Sequence, residues 1–317
     1  MDKEILVQAD HLTRYYSQTC AVSDVSFQLA KGEVLGFLGP NGAGKSSTMQ
    51  MLTGNLAPTA GEIKIHGIDL LDRPKQAKRE IGYLPEQPPV YVELTVDEYL
   101  RYCARLNRMA RSGITRAIAT VKERCGLGAV GHRLIGNLSK GFRQRVGIAQ
   151  AIIHTPAVVI LDEPTVGLDP IQIREIRSLV VELGREHGII LSTHILPEVQ
   201  ATCNRVQIIH QGKLVFADTT AGLDRRLNAT ALLAHFLAPP ENSALAQVAG
   251  VTRVEPLDGG RVRLHYADTD PSEALVEQAV AGRWRLCELT PERRTLEQIF
   301  IELTCSDNPA ATTRSAA

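Results

Sequence analysis

The chain has 317 residues, 44 % of them hydrophobic, and balances 35 Lys+Arg against 35 Asp+Glu for a net charge of +0. Such a length and apolar content support one large domain or two, and the even charge gives no electrostatic case for nucleic acid as a main partner. The longest apolar runs, VVIL at 158–161 and GIIL at 188–191, fall far short of a bilayer span of roughly 20 residues. The N-terminus, MDKEILVQAD, is too polar and acidic for a signal peptide. The cysteines are scattered and form no C-x-x-C pair, so neither a zinc site nor a disulfide framework is indicated. These features fit a cytosolic protein with reduced thiols.

Residues 4–9 and 22–29 read as strands, the second with Val22, Val25, Phe27 and Leu29 in partial alternation. The stretch between them, LTRYYSQTC, reads as a turn carrying Tyr15 and Tyr16, either of which can stack on a purine or lie on a strand edge. After the turn signal Lys31-Gly32-Glu33 comes VLGFL, 34–38, a short buried strand. GPNGAGKSS, 39–47, then fits G-x-x-x-x-G-K-[ST], with Gly39, Gly44, Lys45 and Ser46 at the fixed places and a predicted helix from Lys45 to Leu52. Strand, glycine turn and helix N-terminus together make a phosphate cradle. Gly42 and Gly44 let the backbone turn its N–H groups inward, Lys45 reaches the β- and γ-phosphates, and the Ser46 hydroxyl can ligate Mg²⁺. The whole loop is the candidate nucleotide segment: Gly39, Pro40, Asn41, Gly42, Ala43, Gly44, Lys45, Ser46 and Ser47.

GEIKIHG, 61–67, alternates as a hairpin strand, and IGYLPE, 81–86, is a strand that ends at a proline-rich loop. From Thr95 the period becomes helical, with Glu98 completing a capping box; a second helix is expected over 115–124 with Gly126 as its stop. These and the next helix, which Ser139 caps and which runs to His154, make a helical subdomain over about 95–150. AVVILDEP, 157–164, reads as a strand buried on both faces, 170–188 as a helix and 188–193 as another buried strand, with His194 at its end. This alternation implies a parallel sheet whose ligands sit beyond the carboxyl ends of its strands. A hairpin, 205–216, follows around Gln211-Gly212-Lys213. From about residue 230 the pattern is β, α, β, β, α, β (230–236, 241–250, 251–256, 261–266, 271–282, 283–289), the order of a split βαβ sandwich. A helix over 295–303 and a polar, disordered tail at 304–317 complete the expectation. The expected domains are therefore 1–222 and 223–303.

A buried strand ending in Asp162-Glu163 downstream of a phosphate loop suits Mg²⁺ and water. Asp162 can hold the metal shell and Glu163 can act as general base. His194 can contact the γ-phosphate. Taken singly, a strand-end histidine is more often structural and an Asp-Glu pair is usually a solvated turn. Their convergence on one sheet edge makes the case.

The ordered set GPNGAGKSS (39–47), LSKGFRQR (138–145), VVILDEP (158–164), GLDP (167–170) and STH (192–194) resembles the ATP-binding subunit of an ABC transporter over about residues 1–220. LSKGFRQRVGIAQA, the terminal TLEQIFIELT and the small C-terminal domain look most like the subunits of type-2 ABC exporters, which serve gliding motility, drug efflux and copper-enzyme maturation. The resemblance implies an α/β P-loop NTPase core with helical and antiparallel β subdomains, plus a small C-terminal α+β, ferredoxin-like domain for regulation or dimerisation. It implies ATP and Mg²⁺ as cofactors, a second ATP-binding subunit, head to tail in a homodimer, and an integral membrane permease. It places the chain peripherally on the cytoplasmic face of the plasma membrane. By the same resemblance Ser139 and Gly141 contact the γ-phosphate held by the partner, Asp169 bridges to the partner's phosphate loop, and Tyr16 stacks on adenine better than Tyr15. Where the family usually carries glutamine after the proline, this chain has Glu86, then Gln87, leaving the metal-sensing role divided between them. Lys140 and Phe142 replace a glycine and the glutamine of the common LSGGQ signature. A non-transport ATPase of DNA repair or the ribosome is the alternative. The chain lacks the coiled coil, zinc modules or second cassette such proteins carry, and the intact Glu163 and His194 argue against an inactive regulatory subunit.

Overall fold

β-Branched and leucine-rich runs fill the middle of the chain, and they pair in parallel. In the computed structural model, which describes residues 4–227, 231–267 and 269–292, the chain divides into two compact units, Met1–Thr220 and Ala221–Ala317. The helix expected over 295–303 and the tail 304–317 lie outside the described residues.

The first unit begins with β1 (Ile5–Tyr16), β2 (Thr19–Ala30) and β3 (Val34–Leu38), followed by α1 (Lys45–Leu52). Next come β4 (Ala60–Ile65), β5 (Ile68–Asp69), α2 (Pro74–Ala77) and β6 (Ile81–Leu84). The helices α3 (Val96–Leu106), α4 (Arg111–Arg124) and α5 (Lys140–Ile152) intervene before β7 (Val158–Asp162), α6 (Pro170–Leu183), β8 (Gly188–Thr193), α7 (Leu196–Thr202), β9 (Arg205–His210) and β10 (Lys213–Thr219). α8 (Thr220–Leu227) starts at the boundary and opens the second unit.

The central sheet runs β10-β9-β3-β8-β7-β6 and is parallel from β9 to β6, with β10 antiparallel at one edge. β3, β7 and β8 are buried at every residue, which explains their unbroken apolar runs. An antiparallel sheet, β2-β1-β4-β5, shares a core with it: Phe27 meets Phe37 at 5.8 Å between ring centroids. The stretch 12–20, expected as a turn, is mostly strand. β1 continues through Tyr16, and only Ser17-Gln18 turns. Register shifts after Ala9 and Leu12, with His11 at φ 53°, break the alternation that a strand reading relies on.

The helical subdomain forms as its capping signals require. Thr95 Oγ1 accepts from Glu98 N–H, and the Glu98 carboxylate accepts from Thr95 N–H in return, a cap worth about 1 kcal/mol. α4 starts four residues before the expected 115, at Arg111, and α6 stops at Leu183, short of 188.

The second unit comprises β11 (Ala231–Phe236), α9 (Asn242–Ala246), β12 (Val251–Pro256), β13 (Arg261–Tyr266), α10 (Ser272–Ala281) and β14 (Leu286–Glu292). Its antiparallel sheet is ordered β12-β13-β11-β14, and Leu232, Ala234, Phe236, Val262 and Leu264 pack with Leu245 and Leu275 of the helices. This is the split βαβ order expected from the pattern, with the last strand three residues later than expected.

Candidate active site

The phosphate loop leaves β3 at Leu38 and enters α1 at Lys45. Gly44, at φ 109°, caps the helix without a side chain, and a Cβ there would meet the Ala21 carbonyl oxygen at 2.5 Å. Only glycine fits both constraints. Gly39 is equally confined, with a built Cβ 2.4 Å from the Ile209 carbonyl oxygen. The loop is thereby clamped between β2 and β9, and its N–H groups are held where a helix N-terminus favours an anion.

Lys45 is buried at the base of the loop, its Nζ donating to the carbonyls of Gly39 at 2.8 Å and Pro40 at 3.2 Å. The same Nζ lies 3.5 Å from Glu163 Oε1. His194 Nδ1 sits 3.0 and 2.9 Å from the two Glu163 oxygens. So Lys45, Glu163 and His194, from three separate elements, converge on one point. Glu163 stands just past β7 with φ 49°, a left-handed conformation costing on the order of 1–2 kcal/mol, and its N–H donates to Ser192 O at 2.9 Å. That backbone turn aims the carboxylate across the strand ends.

A cavity of about 260 Å³ opens here, lined by Asn41, Gly42, Gly44, Lys45, Ser46, Ser47, Glu86, Glu163 and His194, with Ala21 and Val166. Ala21 and Val166 lie outside the sequence-based expectation; they follow β2's turn and the Asp162-Glu163-Pro164 segment, and no residue type marks them. Glu86 thus lines the phosphate-loop cavity. Gln87 lines a neighbouring cavity with Lys140, Arg143 and Gln144 instead. Tyr16 places its hydroxyl 3.4 Å from Ser47 Oγ, with the Arg14 guanidinium 5.0 Å from its ring centroid. The main-chain N–H of the exposed Tyr15 donates to Thr59 Oγ1 at 3.1 Å. Pro40 and Ala43 belong to the turn itself, where Ala43 N–H donates to Pro40 O at 3.2 Å.

Ser139, Gly141 and Asp169 do not line this cavity. Ser139 Oγ accepts from Phe142 N–H at the start of α5, and Asp169 Oδ1 accepts from the N–H groups of Ile171 and Gln172 at the start of α6. Gly141 leaves room for Gln172, whose side-chain amide would lie 2.5 Å from a Cβ there.

The electrostatics suit a hard cation. Asp162 is buried, and Oδ1 has no hydrogen-bond partner. Burial raises its pKa above the ordinary carboxylate value; the Ser192 hydroxyl and Lys45 oppose the rise, and the charges of Glu163 and Glu86 add to it. An orphaned, buried carboxylate oxygen with Glu163 and Glu86 nearby fits Mg²⁺, which takes one or two carboxylates and completes its shell with phosphate and water. No group of three or more His, Cys, Asp or Glu among the described residues makes a cage without nucleotide.

A family model described as ABC transporter matches residues 22–166. An uncharacterized ABC transporter ATP-binding protein, YhcH of Bacillus subtilis (strain 168), is 33 % identical over 303 residues, covering 94 % of this chain and 96 % of that one. The bacitracin transport ATP-binding protein BcrA of Bacillus licheniformis is 40 % identical over 212 residues, 66 % of this chain and 68 % of its own. Among solved structures, an ATP-binding subunit of an ABC transporter superposes with TM-score 0.64 at 32 % identity, over 70 % of this chain and 92 % of that one. CbiO1 from Clostridium perfringens, part of the ABC transporter complex CbiONQ, gives 0.65 at 27 % over the same shares.

Proposed function

This chain belongs to the ABC transporter ATP-binding proteins, the ATP-hydrolysing subunits that drive transport through a separate membrane subunit, and on that premise we propose how its own residues do so. The observation that carries the reading is the convergence of Lys45, Glu163 and His194 beside the phosphate loop. Lys45 and the loop N–H groups bind the β- and γ-phosphates. Glu163 takes the proton of the attacking water, and His194 holds the Glu163 carboxylate in place while reaching towards the γ-phosphate. Ser46 and Asp162, with Glu86, would hold Mg²⁺, which would supply charge neutralisation at the phosphates. Tyr16 stacks on adenine.

Ser139 and Gly141 lie outside the cavity of their own chain, which supports a head-to-tail homodimer in which they and Asp169 complete the partner's site. The helix N-terminus capped by Ser139 then faces the partner's γ-phosphate. ATP-binding subunits of this family work with membrane permeases; CbiO1 is one such subunit, part of the CbiONQ complex. Among the described residues no helix is long and apolar enough to cross a membrane. We place the chain on the cytoplasmic face of the membrane, serving an exporter, a reading that the bacitracin transport name of its relative BcrA supports. The second unit, with no phosphate-binding residue, serves dimerisation or regulation.

The route to the permease is the loop after β6. It starts at Glu86-Gln87 and presents Tyr91 and Val92, 46 % and 54 % exposed, with Tyr91 packed edge-on against Tyr99 and Tyr102 of α3. ATPase rates with and without the reconstituted permease test it. Tyr91→Ala or Val92→Asp is expected to lower the stimulated rate several-fold while basal hydrolysis persists. Full stimulation in either variant moves the coupling surface elsewhere.

A further inference from the structure

Four residues after His194, the first turn of α7 carries an acidic residue that the mechanism above leaves unused. Glu198 is 1 % exposed. One of its carboxylate oxygens accepts a short hydrogen bond from Thr165 Oγ1 and the other accepts from Thr193 Oγ1 at 2.8 Å. Thr165 lies two residues after Glu163, and Thr193 immediately precedes His194. Both threonines are buried. Thr193 Oγ1 also accepts from Ile195 N–H at 3.1 Å, which fixes the turn that presents His194.

A buried carboxylate is costly unless its oxygens are satisfied. Here the satisfaction is divided between the two segments that carry Glu163 and His194. We propose that Glu198 is a positioning residue for ATP hydrolysis: its carboxylate ties Thr165 to Thr193 and so sets the distance between Glu163 and His194. This rests on the roles given above to those two residues. The need for such a tie is visible in the backbone. Glu163 holds a left-handed φ of 49°, and a strained residue keeps that conformation only where its surroundings over-determine it. The Ser192 carbonyl fixes the residue's N–H on one side. The Glu198–Thr165 bond fixes the chain two residues on. The Glu198 backbone is held as well, because Thr202 Oγ1 donates to its main-chain carbonyl at 2.6 Å and its N–H donates to Ile195 O at 3.1 Å. None of the three tied side chains lines the cavity, so the tie has no direct hold on nucleotide.

Steady-state MgATP hydrolysis by the full chain with its permease, and MgATP titration calorimetry on the same preparations, test this. Glu198→Ala is expected to lower kcat about tenfold while KM and ATP affinity stay within about twofold, the split that misplacement of a base produces. Glu198→Gln keeps the shape and bonds to both hydroxyls, and is expected to restore most of the rate. Wild-type kcat in Glu198→Ala, or a loss that falls on KM and ATP affinity, overturns the proposal. Should Glu198→Ala not fold, Thr165→Val removes one arm of the tie and is expected to lower kcat several-fold at unchanged affinity; a wild-type kcat there also overturns it. A Glu163→Gln chain that still hydrolyses ATP would instead remove the underlying base assignment, so the two failures are distinguishable.

Discussion

At the carboxyl end of the parallel sheet, Lys45, Asp162 and Glu163 are only 6 %, 4 % and 8 % exposed. On the antiparallel sheet of the second unit, Arg263 spans Glu255 and Glu292, and Glu255 also meets His265 at 3.2 Å, yet these side chains keep about a third of their surface in water. Both regions gather charges of opposite sign. In the second they are screened, and such pairs add little to stability. In the first, one buried cation faces two buried carboxylates, and Asp162 Oδ1 makes no hydrogen bond. Buried and unmatched charge is disfavoured as packing. It is well suited to a ligand that brings phosphates and a cation of its own. The contrast teaches that the number of ion pairs does not locate function, whereas unbalanced buried charge on a strained backbone does.

The sharpest way to break this comparison is at Lys45. Lys45→Ala removes the buried cation facing Glu163, and we expect MgATP affinity to fall by about 100-fold or more in titration calorimetry. Near-wild-type affinity would dissolve the distinction between the two charge clusters. The smallest effect is expected from the second unit. A folded 1–222 chain should bind MgATP within about twofold of the full chain, since none of the cavity-lining residues lies beyond His194, and should differ in dimerisation or regulation instead. Loss of binding in that chain would tie the second unit to the site.

Much of this was legible before the fold was known, for definite reasons. The phosphate loop is local: its glycines, lysine and serine all lie within 39–46, and α1 begins and ends at the residues expected, Lys45 and Leu52. The Thr95–Glu98 box and the Ser139 cap are equally local. β7 and β8 announced themselves because burial on both faces leaves no polar alternation. What escaped depended on long-range geometry. The second half of β1, from Leu12 to Tyr16, hid within an apparent turn because bulges interrupt its period. α7 was missed because it has only seven residues and follows a histidine assigned to the strand end. Glu198 therefore carries no signal in the sequence, and only the packing of α7 under the strand ends puts it between Thr165 and Thr193. The difference between Glu86 and Gln87 was also beyond adjacent letters: Glu86 lines both the phosphate-loop cavity and the neighbouring one, whereas Gln87 lines the neighbouring one.

The measurement that bears most directly on the account is MgATP binding and hydrolysis side by side in Glu163→Gln. An amide there keeps the shape and a contact with His194 but cannot take the proton of water. We expect ATP affinity close to wild type, hydrolysis lowered by about 10²–10⁴-fold, and an ATP-dependent doubling of mass in light scattering. A Glu163→Gln chain that remains monomeric and hydrolyses ATP at the wild-type rate would contradict both the base and the dimer.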